Sequence, residues 1–310
     1  MRGTVFVNTR SGANAAEDDP AALIASGLPG ADVEACAPEE LGAAISREVA
    51  SGAQWVGVAG GDGTIRLAAE RLVGTSCALL PVPMGTLNHF ARQLGIESLE
   101  AAAAAMTGVT QRVDVGDVNG HVFVNNASVG LYPLLVEGRE RRMGRLPKRF
   151  ADLAALTEEL GKGHRLTVCL DDSPVQTWMV FVGNNRYCNG LFSITERARL
   201  TEGILDIRLV RAEGRLSRAR VLMAAIATRL AQSPLVESRE VAEIVMDPTP
   251  QEVSVALDGE VVELCAPLRF RSRPGALMVR IPPSQDFPAP TSDLAQQPGQ
   301  REPAAPSSAR

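Results

Sequence analysis

From Gly3 to about Val118, short β-branched runs alternate with longer helical stretches, and that alternation leaves few folds open to the chain. Residues 4–7, 32–36, 55–59 and 78–82 read as strands, and 38–50, 65–72, 87–94 and 99–106 read as helices. A parallel strand pair needs a crossover connection, and a helix of this length is the usual one. The first part of the chain is therefore expected to be an open α/β lobe around a parallel sheet.

After Arg112 the pattern changes. Residues 113–118, 121–125, 166–170, 175–182, 204–210, 253–257 and 261–264 read as strands separated by turns, with Asn119-Gly120 and Asp258-Gly259 as hairpin signals. This predicts an antiparallel, sandwich-like β-rich second lobe, with helices inserted at 133–142, 147–160 and 217–231. From Pro282 to Arg310 seven prolines stand among polar and alanine residues without an apolar period, the composition of a disordered tail. The 310 residues suffice for two packed domains. The division expected is 1–116 for the α/β lobe, 117–275 for the β-rich lobe and 283–310 for the tail.

Charge narrows the partners. Lys and Arg total 31 against 36 Asp and Glu, a net charge of −5, so no global positive field makes nucleic acid the default partner, and an anionic ligand must be held locally. Five dispersed cysteines without a CxxC pair suit reduced thiols in a cytosol better than a disulfide framework or a zinc site. No signal-peptide core opens the chain and no apolar run of about 18 residues occurs, so the expectation is a cytoplasmic protein that visits a membrane surface rather than spanning it.

The strongest local signal is Gly60-Gly61-Asp62-Gly63-Thr64, where a buried strand ends and a helix begins. Glycines there let backbone N–H groups approach an anion, and the helix start adds partial positive charge, so a phosphate is the natural guest. The segment is not a Walker A loop, and Arg66 stands where GxGxxG would need its third glycine. A plain strand-to-helix turn capped by Asp62 and Thr64 is the bland alternative. One βα unit later comes Pro83-Met84-Gly85-Thr86-Leu87-Asn88. Successive strand-to-helix loops of a parallel sheet emerge on one edge, so Thr64 and Thr86 are expected to line one crevice.

Three motifs in this order resemble the diacylglycerol kinase catalytic-domain family, in particular its soluble bacterial lipid kinases: Gly60-Gly61-Asp62-Gly63-Thr64, then Pro83-x-Gly85-Thr86-x-Asn88-x-Phe90-Ala91-Arg92, then Leu257-Asp258-Gly259-Glu260. Asn8-x-x-Ser11-Gly12 and Glu202-Gly203-Ile204-Leu205-Asp206 extend the likeness over roughly residues 3–282. The resemblance implies a nucleotide-binding α/β lobe, a β-sandwich-like lobe for the lipid substrate, and a last strand at 276–282 returning to the first lobe. It further implies ATP and Mg2+ as cofactors. Asn8, Gly60, Gly61, Asp62, Gly63, Thr64, Ile65, Arg66, Thr86 and Asn88 would hold the nucleotide, Glu260 would act as general base on a lipid hydroxyl, and Asp258 would be its partner.

The chain departs from the family's pattern in places. Arg66-Leu67 stands for Asn-Glu and would add a phosphate contact or alter the pocket, Ala37 stands for a nucleotide-contacting Thr, and His89 stands for Asp. Glu202-Gly203 stands for an Asp-Gly that helps hold a structural magnesium, which makes Glu202 the candidate metal ligand. A basic run from Arg139 to Arg149 (Arg139, Arg141, Arg142, Arg145, Lys148, Arg149) could dock on anionic headgroups at the inner membrane face, each charge contributing about 1 kcal/mol, or be a solvated surface. The expected activity is transfer of the γ-phosphate of ATP to diacylglycerol or a related lipid. Kinase action on a soluble alcohol such as NAD, and a non-catalytic nucleotide- or lipid-binding regulator, are the alternatives. A homodimer is compatible with the sequence.

Overall fold

A computed structural model of the chain describes residues 3–11, 19–131, 133, 165–170, 173–188, 197, 199–212 and 236–283. The helices expected at 133–142, 147–160 and 217–231, the basic run from Arg139 to Arg149, and the tail fall outside these residues, save Pro133 and Pro283 at their margins.

Strands β1 (Gly3–Asn8), β2 (Asp32–Cys36), β3 (Trp55–Gly60) and β4 (Ala78–Pro83) pair in parallel in the order β2-β1-β3-β4. All six residues of β3 are buried, as a strand covered on both faces requires. Between the strands run α1 (Pro20–Gly27), α2 (Pro38–Ala50) and α3 (Asp62–Leu72), and after β4 come α4 (His89–Gln93) and α5 (Leu99–Thr107). Helix α2 opens with Pro38 and two acidic residues, Glu39 and Glu40, and ends with Arg47, each on the favourable side of the helix dipole. Its buried residues, Leu41, Ala44 and Ile45, recur at the three- and four-residue spacing of one face. In α3 the same rule buries Ile65, Ala68, Ala69 and Leu72.

The remaining strands are β5 (Val109–Val118), β6 (His121–Phe123), β7 (Asn126–Gly130), β8 (Leu166–Leu170), β9 (Ser173–Asn184), β10 (Leu205–Arg211), β11 (Val236–Val241), β12 (Glu243–Thr249), β13 (Glu252–Leu257), β14 (Glu260–Cys265) and β15 (Leu268–Ile281). Hydrogen bonding is continuous along β14-β13-β7-β9-β8-β12-β15-β4-β3-β1-β2. Strand β15 joins the two regimes, antiparallel to β12 at its start and parallel to β4 at Val279. It is also antiparallel to β5 from Phe270 to Ile281, with a register shift between Arg273 and Leu277.

Two hydrophobic cores result, and β5, β6 and β15 contribute to both. Leu268 and Phe270 of β15 pack in the second core, while Leu277, Val279 and Ile281 pack in the first. Val122 and Val124 face the first core and Phe123, between them, faces the second, as the two-residue period of an extended chain dictates.

Several boundaries differ from the sequence reading. Helix α3 begins at Asp62 rather than at 65, so Gly60 ends β3, Gly61 caps the helix, and Asp62, Gly63 and Thr64 belong to its first turn. The helix expected at 87–94 contracts to His89–Gln93, because Asn88 takes the left-handed conformation at φ 50°, which a helix cannot continue through. The strand expected at 121–125 stops at Phe123. Helix α1 and strands β7, β11 and β12 carry no strong periodic signal: β11 reads Val-Glu-Ser-Arg-Glu-Val and β12 contains Pro248. The last strand begins at Leu268 rather than 276 because Pro274 and Gly275 interrupt its pattern without ending the strand.

Candidate active site

In the order β2-β1-β3-β4 the connections around β1 run to opposite sides, and the carboxyl ends of the strands at such a reversal are where open α/β sheets place their ligands. At that point Asn8, the last residue of β1, meets the glycine turn after β3. Asn8 Nδ2 donates to Thr64 Oγ1 at 2.9 Å, and Asn8 Oδ1 accepts from the Arg10 N–H at 3.1 Å. Gly61 N–H donates to Ser11 Oγ at 2.8 Å.

Gly61 caps α3 without a side-chain hydrogen bond, and the first intrahelical bond runs from Ile65 N–H to Gly61 O at 3.1 Å. The N–H groups of Asp62, Gly63 and Thr64 thus have no intrahelical acceptor and present partial positive charge at the helix start. Gly85 of the following loop lies against this turn, and a Cβ on it would stand 2.5 Å from Gly61 Cα. Asn88 closes that loop on itself, accepting from Gly85 N–H at 2.8 Å and donating from Nδ2 to Gly85 O at 2.7 Å. Asp62 Oδ1 accepts from Phe90 N–H at 3.4 Å, tying the two loops together. Thr86 is exposed beside Gly85, and Ile65 is buried beneath, part of the core rather than the crevice surface.

The third motif reaches the same place from the other lobe. Leu257 pairs with Glu260 across a two-residue turn in which Asp258 (φ 50°) and Gly259 (φ 95°) both have positive φ, the tight hairpin that Asp-Gly favours. Glu260, first residue of β14, thereby meets α3. A Cβ on Gly63 would lie 3.1 Å from Glu260 Cδ and collide with Oε1. Arg66 Nη2 donates to Glu260 Oε2 at 2.5 Å, and Arg66 Nη1 lies 3.7 Å from Glu70 Oε2. Arg66, expected on the nucleotide, thus has its guanidinium engaged with carboxylates.

Asp258 has a different task. Its carboxylate accepts from Val124 N–H (2.8 Å), Asn125 N–H (2.8 Å) and Asn126 N–H (2.9 Å), fastening the hairpin to the turn between β6 and β7. Burial pushes its carboxyl up to about 6, against the opposing pull of the three N–H donors and of Arg66. Underneath, Arg197 is buried and held by neutral acceptors. Its Nη1 donates to Val124 O (2.7 Å) and Asn184 O (3.0 Å), its Nη2 donates to Asn125 Oδ1 (3.1 Å), and its Nε donates to Gln93 Oε1 (2.7 Å) at the end of α4. Burial holds the Arg197 guanidinium pKa below its usual value.

Sequence reading did not find this support, because Gln93, Asn125, Asn184 and Arg197 carry no motif. Ser11 had a signal, standing in Asn8-x-x-Ser11-Gly12. Glu202 Oε2 accepts from Arg186 N–H at 3.1 Å. Nearby, Asp114 accepts from Gly203 N–H (2.7 Å) and Gly275 N–H (2.8 Å), and burial raises its pKa. Among the described residues no three His, Cys, Asp or Glu side chains converge as a metal site. Nor is any described helix long and apolar enough to cross a membrane.

A helix start opened by glycines at a sheet's switch point, faced by a carboxylate from a second β lobe, marks an α/β protein whose candidate site has the chemistry to receive an anion such as phosphate. Comparison with known proteins specifies which. Residues 2–118 match the family described as diacylglycerol kinase catalytic domain, and residues 135–281 match the YegS C-terminal NAD kinase beta sandwich-like domain. A Pseudomonas aeruginosa protein named "Probable lipid kinase YegS-like" is 31% identical over 248 residues, covering 77% of this chain and 80% of the relative. A diacylglycerol kinase of Mycobacterium tuberculosis is 32% identical over 184 residues, 55% of this chain and 59% of that protein. The crystal structure of a diacylglycerol kinase from Bacillus anthracis shares the fold, with a TM-score of 0.63 at 19% identity over 91% of this chain and 97% of that one. The chain belongs to the diacylglycerol kinase catalytic-domain family, among its YegS-like lipid kinases. This is a family of ATP-using phosphotransferases.

Proposed function

We propose that the protein transfers the γ-phosphoryl group of ATP to a hydroxyl of diacylglycerol or a related lipid, with Glu260 as general base. One observation carries this reading: Glu260 of the second lobe lies against Gly63 in the helix turn that offers N–H groups to phosphate. The nucleotide phosphates would rest on the N–H groups of Asp62, Gly63 and Thr64, with Gly61 and Gly85 leaving room for backbone approach and Asn8 orienting Thr64.

The residues at the crevice suit Mg2+, which keeps phosphate and water oxygens as most of its ligands and needs only one or two carboxylates, a part that Asp62 would take. When bound, the ion would neutralise phosphate charge and orient the transferring group. The lipid hydroxyl loses its proton to Glu260 as its oxygen bonds to the γ-phosphorus, and the bond to the β-phosphate oxygen breaks to release ADP. Asp258 supports this step by fixing the hairpin. Contact with anionic headgroups through Arg139 to Arg149 would bring the enzyme to its substrate.

The test is phosphate transfer from labelled ATP to a panel of lipids and to NAD. A labelled lipid is the expected product. NAD is included because the second lobe matches a domain described as NAD kinase-like. Labelled NAD alone would replace the lipid reading, and ATP binding without transfer to either would make the protein a regulator.

A further inference from the structure

Arg66 stands one helical turn beyond the glycine motif, yet it reaches a carboxylate 194 residues away in sequence. Its side chain is 11% exposed while that of Glu260 is 50% exposed, so an enclosed cation grips an accessible carboxylate. The grip is one-sided: Nη2 takes Glu260 Oε2 at 2.5 Å, while Oε1 is the oxygen that a Cβ on Gly63 would strike. Arg66 Nε is buried with no acceptor among the described residues. A buried unpaired donor adds nothing to stability, and an ion pair with one partner half in solvent adds little.

We infer that Arg66 is a positioning residue for Glu260, anchoring Oε2 so that Oε1, over Gly63, is the oxygen that accepts the substrate proton. The inference rests on the reading of Glu260 as general base. It also explains why the helix that receives the phosphates carries the arginine. Residues 62–64 and Arg66 belong to one rigid element, so the nucleotide and the base are referenced to the same backbone. Lysine at this position would keep the charge but lose the planar fork that sets the direction of the grip.

The test is a double-mutant cycle on the full chain, with ATP and whichever lipid the panel above shows to be the fastest acceptor. Arg66→Met is expected to lower kcat about 30-fold while KM for ATP moves less than about threefold, and Arg66→Lys to recover part of the loss. In a Glu260→Gln background, Arg66→Met is expected to change kcat no further, because its effect passes through the carboxylate. Thermal melting checks that each variant is folded, and if the methionine variant does not fold the lysine variant carries the same cycle.

Two results overturn the inference while leaving the base intact. One is a raised KM for ATP with kcat unchanged, which would make Arg66 a phosphate contact. The other is an equal loss of rate in both backgrounds, which would make it independent of Glu260. Wild-type turnover in Glu260→Gln alone would instead sink the base reading, and the positioning role with it.

Discussion

Glu260 and Asp258 are two carboxylates separated in the chain by Gly259 alone, and their surroundings divide the work. Glu260 is half exposed and faces the glycine turn, whereas Asp258 is spent on three backbone N–H groups. Glu260→Gln is therefore expected to cut kcat by at least about 100-fold with nucleotide affinity within about twofold, measured by turnover and calorimetric titration. Loss of nucleotide binding instead would reassign Glu260 to structure. Gly63→Ala places a methyl group on the Glu260 carboxylate, and a comparable loss of kcat is expected with the fold retained.

For Asp258 the expectation concerns stability and pH. Its carboxyl lies near 6 in the folded protein against 3.8 as the ordinary value, so between those values the folded state holds a proton that the unfolded chain releases. The contribution of this group is full below the lower value, declines as pH rises through the window and is flat above it. The gap in urea midpoint between wild type and Asp258→Asn should accordingly be wider at about pH 4.5 than at about pH 7.5. A gap that widens with pH would contradict the assignment.

Among the elements, the two strand-to-helix turns work as a unit. Gly61 and Gly85 touch backbone to backbone, and Asp62 reaches across to Phe90 N–H. Gly85→Ala must push the turns apart, since the atom it meets is main chain and cannot rotate away. A rise in KM for ATP of about tenfold, with a smaller change in kcat, is the expected outcome in steady-state kinetics. The sequence announced these turns through glycines that only a close backbone approach explains. It announced the Asp258-Gly259 hairpin equally plainly, because two consecutive positive φ values have few compatible residue pairs. It was silent on β11 and β12, whose charged and proline-containing strands are stabilised by their neighbours rather than by their own propensity.

Across the whole molecule, β15 ties the two lobes together. One strand contributes Leu268 and Phe270 to one core and Leu277, Val279 and Ile281 to the other, with β5 paired along its length. Sharing a strand should make unfolding cooperative between lobes. The chain has two tryptophans, Trp55 in β3 and Trp178 in β9, so fluorescence of Trp55→Phe and Trp178→Phe reports each lobe separately. Coincident urea transitions are expected, and midpoints separated by more than about 0.5 M would show that the lobes unfold independently.

The sequence by itself determined the parallel βα units, the glycine turns and the Asp-Gly hairpin, since each rests on local rules of periodicity and φ. Only the tertiary structure decided what Arg66, Asp258 and Arg197 do. A guanidinium or carboxylate carries no local mark of its partner, and the partner here comes from another strand or another lobe. Arg66 looked like a phosphate contact while its neighbours in sequence were all that could be seen. Folding brings Glu260 to it, and the guanidinium pairs with that carboxylate from the other lobe.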